Sequence, residues 1–193
     1  MVLKLAEKIA FCLFRRGYIE ENEINIYKYG YSIVIDGIVD YTVLLILGIL
    51  IGRLFMVCIF AVVFSGLRQF TGGYHADRRW KCISLSSFLC LVCVLGAFII
   101  PVDIVKVYIP VISFISMVVI IKNAPVQSKA KKWNDVLVEK NRRKALISSV
   151  ILFVIICASD IIFTRAAATA ADSMFAVAVL IEYALWKEKR ANE

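Results

Sequence analysis

The chain has 193 residues, 61% of them hydrophobic, with a mean hydropathy of +0.82. Soluble domains are about 45–50% apolar, so an ordinary water-soluble globule is excluded, and the apolar residues gather in runs near the roughly 20 residues that cross a bilayer as a helix. The formal charge of +8 then points to cytoplasmic loops and anionic lipid rather than to nucleic acid.

Residues 1–28 read as an amphipathic helix, with Lys4, Glu7, Lys8 and Arg15 on one side and Leu5, Ile9, Cys12 and Leu13 on another. It lies in the membrane interface or packs as an ordinary solvated helix; the residues leave both open. Charges of both signs and the lack of a small-residue cleavage site predict no cleavable signal peptide. The first span is expected from about Tyr29 to Ile51, followed by a short turn at Gly52 and Arg53. The second, from about Leu54 to Leu67, is short, and either extends into residues 68–70 or is irregular. A polar stretch, Arg68 to Lys81, precedes the third span, about Cys82 to Ile100, which Pro101 and Asp103 end. The fourth covers about Ile104 to Ile121, with Pro110 inside it, which membrane helices tolerate. A long basic segment fills Lys122 to Lys144, before a fifth span at about Ala145–Thr164 and a sixth at about Thr169–Trp186.

Lysine and arginine set the orientation. Residues 1–28, 68–81, 122–144 and 187–193 hold five, four, eight and three of them, whereas the alternate loops hold only Arg53, Lys106 and Arg165. The expected fold is therefore an all-α membrane protein of about six transmembrane helices with both termini cytoplasmic. A four-span arrangement would need two pairs of runs to be re-entrant or interfacial. No internal repeat or low-complexity tail is visible, so residues 1–193 read as one domain, with 1–28, 68–82 and 122–144 as its distinct segments.

Of the six cysteines, Cys12 and Cys82 fall on the predicted cytoplasmic, reducing side. Cys58, Cys90, Cys93 and Cys157 sit within apolar runs, where cysteine acts as a small hydrophobe. Cys90 and Cys93 form a C-x-x-C, but its apolar flanks argue against metal or redox work. A single histidine cannot build a typical His-rich zinc site, so no metal and no cofactor is expected.

That histidine, His75, stands seven residues before Cys82, which heads an apolar helix. Arg78, Arg79 and Lys81 make the surroundings electropositive, the positive end of a helix dipole falls near Cys82, and an imidazole is available; all three favour thiolate. Gly72 and Gly73 relax the backbone just before His75. On one unbroken helix the two side chains would lie about 10 Å apart along the axis, so a working pair requires the segment between them to turn. The residues leave a catalytic pair and a polar loop with an incidental His and Cys both open.

Asp36 and Asp40 lie four apart, on one face of the first span. Carboxylates within a bilayer usually face a protein interior or water. Asp36, nearer the cytoplasmic side, could pair with Arg68 or orient His75; lining a helix contact is the other reading. With Glu182 these carboxylates also allow a different class of function, a small transporter or peptide exporter with a polar pathway. A non-enzymatic membrane partner is a third. Asp36-Gly37 starts a phospholipid-head-group transferase pattern whose later residues are absent.

The pattern R-x4-G-x-H-A-x5-C formed by Arg68, Gly73, His75, Ala76 and Cys82, followed by Asn123-Ala124-Pro125 opening a Lys-rich loop, resembles the accessory gene regulator B (AgrB) family. Members are membrane-embedded cysteine endopeptidases that process a quorum-sensing propeptide. The resemblance implies Cys82 as nucleophile, His75 as general base, and Arg68 and Gly73 in support. It implies as partner an AgrD-like propeptide with an acidic C-terminal tail, which Lys129, Lys131 and Lys132 would bind. It places the chain in the bacterial cytoplasmic membrane among lipids, with a homodimer allowed for and no nucleic acid. Cleavage would pass through a Cys82 thioester that a residue of the peptide resolves into a thiolactone or lactone. The chain departs from the family in having Trp133 where a proline often follows the lysines. Tyr31 and Ser32 follow Gly30 where many relatives place Glu or Gln.

Overall fold

The computed structural model describes residues 2–72, 79–126 and 135–190. His75 and Gly73, together with Lys129, Lys131 and Lys132, lie outside them. Among the described residues the chain is all-helical: α1 Val2–Arg15, a 3-10 turn Glu21–Glu23, α2 Ile24–Leu50, α3 Leu54–Thr71, α4 Arg79–Ile99, α5 Val102–Asn123, α6 Asp135–Asp160 and α7 Thr164–Arg190. It forms two compact units, one reaching Ile46 and the other starting at Leu47.

In the first unit the helix expected over residues 1–28 stops at Arg15. Gly17 is the reason. At φ 72° it takes a left-handed conformation, with Gly17 N–H bonded to Phe14 O (2.9 Å) and Tyr18 N–H to Leu13 O (3.1 Å). This pattern closes a helix, and glycine adopts it without the Cβ penalty. A Glu20–Glu23 capping box then starts the next turn. Ala6 and Ala10 are the buried residues of α1, while Leu3, Phe11, Lys4 and Lys8 are exposed. Lys28 at the start of α2 holds Glu7 of α1 at 2.6 Å.

In the second unit α7 is central, packing against α3, α4, α5 and α6. Its sequence explains that position. Ala167, Ala168, Thr169, Ala170, Ala171 and Ser173 are all buried, and such small side chains let helix backbones approach closely in a membrane. Several buried hydroxyls bond back into their own helices, as Ser173 Oγ does to Thr169 O (2.6 Å) and Ser113 Oγ to Ile109 O (2.6 Å). They therefore cost little when buried.

Five helices, α2, α3, α4, α5 and α7, are long and apolar enough to cross a membrane. The fifth expected crossing, about Ala145–Thr164, corresponds to α6, which starts at Asp135 rather than Ala145 and ends at Asp160. Its first turns carry Glu139, Lys140, Arg142, Arg143 and Lys144, good helix formers joined by a Glu139–Arg143 pair (3.3 Å). Half of the basic segment is thus helical, and the uncharged remainder of α6, residues 145–159, is shorter than a full span. α3 runs on through Arg68 to Thr71, lengthening the short second span.

Candidate functional site

Thr71, Asn123–Val126 and Glu182 gather at one end of the second unit. α3 ends when Gly72 N–H bonds Arg68 O (3.1 Å) and Gly72 turns to φ 67°, ψ −132°, a region open to glycine. Gly72 pairs in a parallel bridge with Val126, whose N–H donates to Thr71 O at 2.9 Å. A Cβ on Gly72 would lie 2.2 Å from Val126 O, so only glycine permits this approach. Ala124 and Val126 are buried, and Asn123 Nδ2 donates to Glu182 Oε1 of α7 at 2.5 Å.

Two stretches of chain therefore start from one joint. The chain beyond Gly72 leads to His75, and the chain beyond Val126 leads to Lys129, Lys131 and Lys132. Separated by more than fifty residues in sequence, their roots are hydrogen-bonded neighbours. Arg68 lies on the last turn of α3 with its guanidinium 5.4 Å from the Phe64 ring. Lys144 of α6 reaches the ring of Phe70 at 5.1 Å, bringing part of the basic segment to the same end.

Cys82 sits near the N-terminus of α4 and is half-buried, at the positive end of that helix dipole. Lys81 beside it lies over the Trp80 ring at 5.7 Å. Asp36 and Asp40 are in the first unit, one turn apart on α2, both half-buried. Cys90 and Cys93 are buried within α4.

Sequence reasoning missed two features. Asp172, half-buried on α7, lies within electrostatic range of Cys93 on α4. The rule applied to Asp36, that an ionisable residue inside an apolar run faces a protein interior or water, would have found it. At the opposite end of the unit, Arg165, read only as a loop charge, binds the carbonyls of Ala97 and, at 2.8 Å, Ile100. Its guanidinium and that of Arg53 both lie over the Phe98 ring, at 5.5 and 3.7 Å. These contacts satisfy carbonyls that a helix C-terminus leaves open.

The family model of Accessory gene regulator B (AgrB) matches residues 6–184. No significant match is found among curated proteins or among solved structures.

Proposed function

The chain belongs to the accessory gene regulator B family, and from that premise we propose that it is a multi-pass cysteine endopeptidase of the bacterial cytoplasmic membrane. It cleaves the C-terminal tail from an autoinducing-peptide precursor. The observation that supports this best is the joint at Gly72 and Val126. It roots the His75 segment and the lysine segment side by side, as an enzyme needs if it is to hold an acidic tail next to a nucleophile.

In this reading the Cys82 thiolate attacks the carbonyl carbon of the bond before the tail, after His75 has taken the thiol proton. The tetrahedral intermediate collapses, the C–N bond breaks, and His75 returns the proton to the leaving amine. The truncated peptide is then held to Cys82 as a thioester. A cysteine or serine of the peptide attacks that thioester, closing a thiolactone or lactone ring and releasing the Cys82 thiol. Exchange of this thioester for the ring's own thioester or ester conserves the activated acyl bond, so ring closure requires no nucleotide. Water is the competing nucleophile, and a site near the membrane surface limits its access. Lys129, Lys131 and Lys132 steer the acidic tail, and Arg68, Gly73 and Asp36 support the site. Six crossings with both termini cytoplasmic keep His75, Cys82 and the lysines on one side, in agreement with the lysine and arginine count.

The test is propeptide cleavage by purified protein in lipid. Cys82→Ala removes the nucleophile and abolishes cleavage while the protein still inserts. His75→Ala also loses cleavage, because an unassisted thiol with a pKa near about 8.5 is mostly protonated at neutral pH. Mass spectrometry of the wild type finds the truncated peptide on Cys82. Complete processing by Cys82→Ala, or an adduct on Cys12, would overturn the mechanism.

A further inference from the structure

The first unit carries a surface that the peptidase reading does not use. Of the α1 face expected to be apolar, Ile9 and Leu13 are half-buried. A second apolar edge is open: Leu3, Phe11 and Phe14 are 53%, 46% and 37% exposed. Their spacing puts these three on one side of the helix, and the exposed Lys4, Lys8 and Arg15 run alongside. Leu5, 49% exposed, lies nearly opposite that edge. Lys4, Lys8, Arg15 and Arg16 line one groove together with Phe11. The groove's carboxylate, Glu7, is held by Lys28 at 2.6 Å, so the groove keeps an excess of positive charge. The height of α1 is set by α2. Residues 16–20 join the end of α1 to the span that begins at Glu21, and the Glu7–Lys28 pair ties the middle of α1 to the second turn of α2. At that level Tyr27 and Tyr29 are exposed, and such aromatic side chains mark the depth of the lipid headgroups. Among the described residues α1 shares no extended face with another helix.

We propose that α1 is an interfacial anchor for anionic lipid, its Leu3–Phe11–Phe14 edge entering the boundary between headgroups and acyl chains and its Lys4, Lys8 and Arg15 binding the phosphates beside that edge. A helix of this kind gains twice at a negatively charged bilayer, from the apolar area it buries and from its cations. The long lysine and arginine stems let the charges stay at the phosphates while the apolar edge sinks below them. The same placement turns Leu5 toward water. Lipid is the occupant because the link to α2 and the Glu7–Lys28 pair hold the open edge at headgroup level. None of these residues belongs to the candidate site, so the anchor stands apart from the peptidase assignment.

The experiment places the full-length protein, one copy per nanodisc, in phosphatidylcholine alone or mixed with phosphatidylglycerol, at low salt where exposed charges are least screened. Leu3→Cys and Leu5→Cys variants are alkylated with a charged, membrane-impermeant maleimide. Mass spectrometry follows each site against the native Cys12, which is exposed on the Leu5 side of the helix. In the mixed bilayer Leu3→Cys is expected to react at least about tenfold more slowly than Leu5→Cys, although the two leucines are almost equally exposed. A phosphatidylglycerol with a photoreactive diazirine in its acyl chain should attach at Phe11 or Phe14. Phosphatidylcholine alone, or the variant Lys4→Gln/Lys8→Gln/Arg15→Gln in the mixed bilayer, should speed Leu3→Cys at least about fivefold, the worth of a single cation at an anionic surface. Equal rates at positions 3 and 5 in the mixed bilayer would mean a solvated helix and overturn the proposal. Slow reaction at position 3 with no lipid adduct would mean that protein covers the edge, and would overturn it too. Protection with an adduct that is indifferent to lipid charge and to the three cations would refute the choice of anionic lipid.

Discussion

Replacing Gly72 with alanine probes its pairing with Val126. At φ 67° and ψ −132° an L-residue is strained by roughly 1–3 kcal/mol. The new Cβ would also lie 2.2 Å from Val126 O, and that neighbour is backbone, which cannot swing aside. The pairing must open, with loss of the Val126 N–H to Thr71 O bond, a further ~0.5–1.5 kcal/mol. The expected destabilisation is about 2–4 kcal/mol, a fall in apparent Tm of roughly 5–15 °C for a chain of this size. Gly66→Ala is the control. Gly66 lies inside α3, where an added Cβ meets nothing within 4 Å, so the change is neutral or stabilises by up to about 1 kcal/mol. Both variants are followed by thermal unfolding in detergent and by propeptide cleavage. Gly72→Ala should lose both stability and activity, while Gly66→Ala keeps both. An apparent Tm and cleavage rate for Gly72→Ala equal to wild type would refute the argument that the bridge needs glycine.

At the other end of the unit, Arg165→Gln removes the bonds to Ala97 and Ile100 and the contact over Phe98. It should destabilise by about 1–3 kcal/mol in the same unfolding assay, with cleavage per folded molecule unchanged; a neutral effect would show that these carbonyls do not need the guanidinium. On the central helix, Ala171→Leu adds three carbons at a fully buried position and should cost about 1–3 kcal/mol or more by overpacking. Val179→Leu, on the same helix but 46% exposed, should be tolerated. Equal tolerance of the two changes would mean that Ala171 is not closely packed.

The candidate site was partly legible in the chain. Cys82 at the head of an apolar helix, Arg68 before a Gly-Gly pair, and Asn123-Ala124-Pro125 before lysines were all visible as residue types at fixed spacings. The helical rise called for a turn between His75 and Cys82, of which residues 75–78 lie outside the described residues; the turn at Gly72 precedes that stretch. The pairing of Gly72 with Val126 had no local signature, because a two-residue bridge leaves no periodicity. Glu182 was visible only as a charge at the end of an apolar run, which suits a transporter pathway as well as an anchor.

The sequence by itself determined the elements that depend on local chemistry. Runs of apolar residues gave helices α2 to α5 within a few residues of their expected bounds, because hydropathy acts residue by residue. Helix ends were less accessible. Gly17 cut short the amphipathic helix, and the charged first turns of α6 were hidden from a hydropathy reading, since charged residues form helices as readily as apolar ones. Tertiary structure alone decided which helix is the hub, which small residues of α7 face which neighbours, and that the ends of α3, α5 and α7 meet. Those outcomes follow from packing between segments far apart in the chain. A small residue permits a close approach wherever it stands, and only the assembled helices select which approach is made.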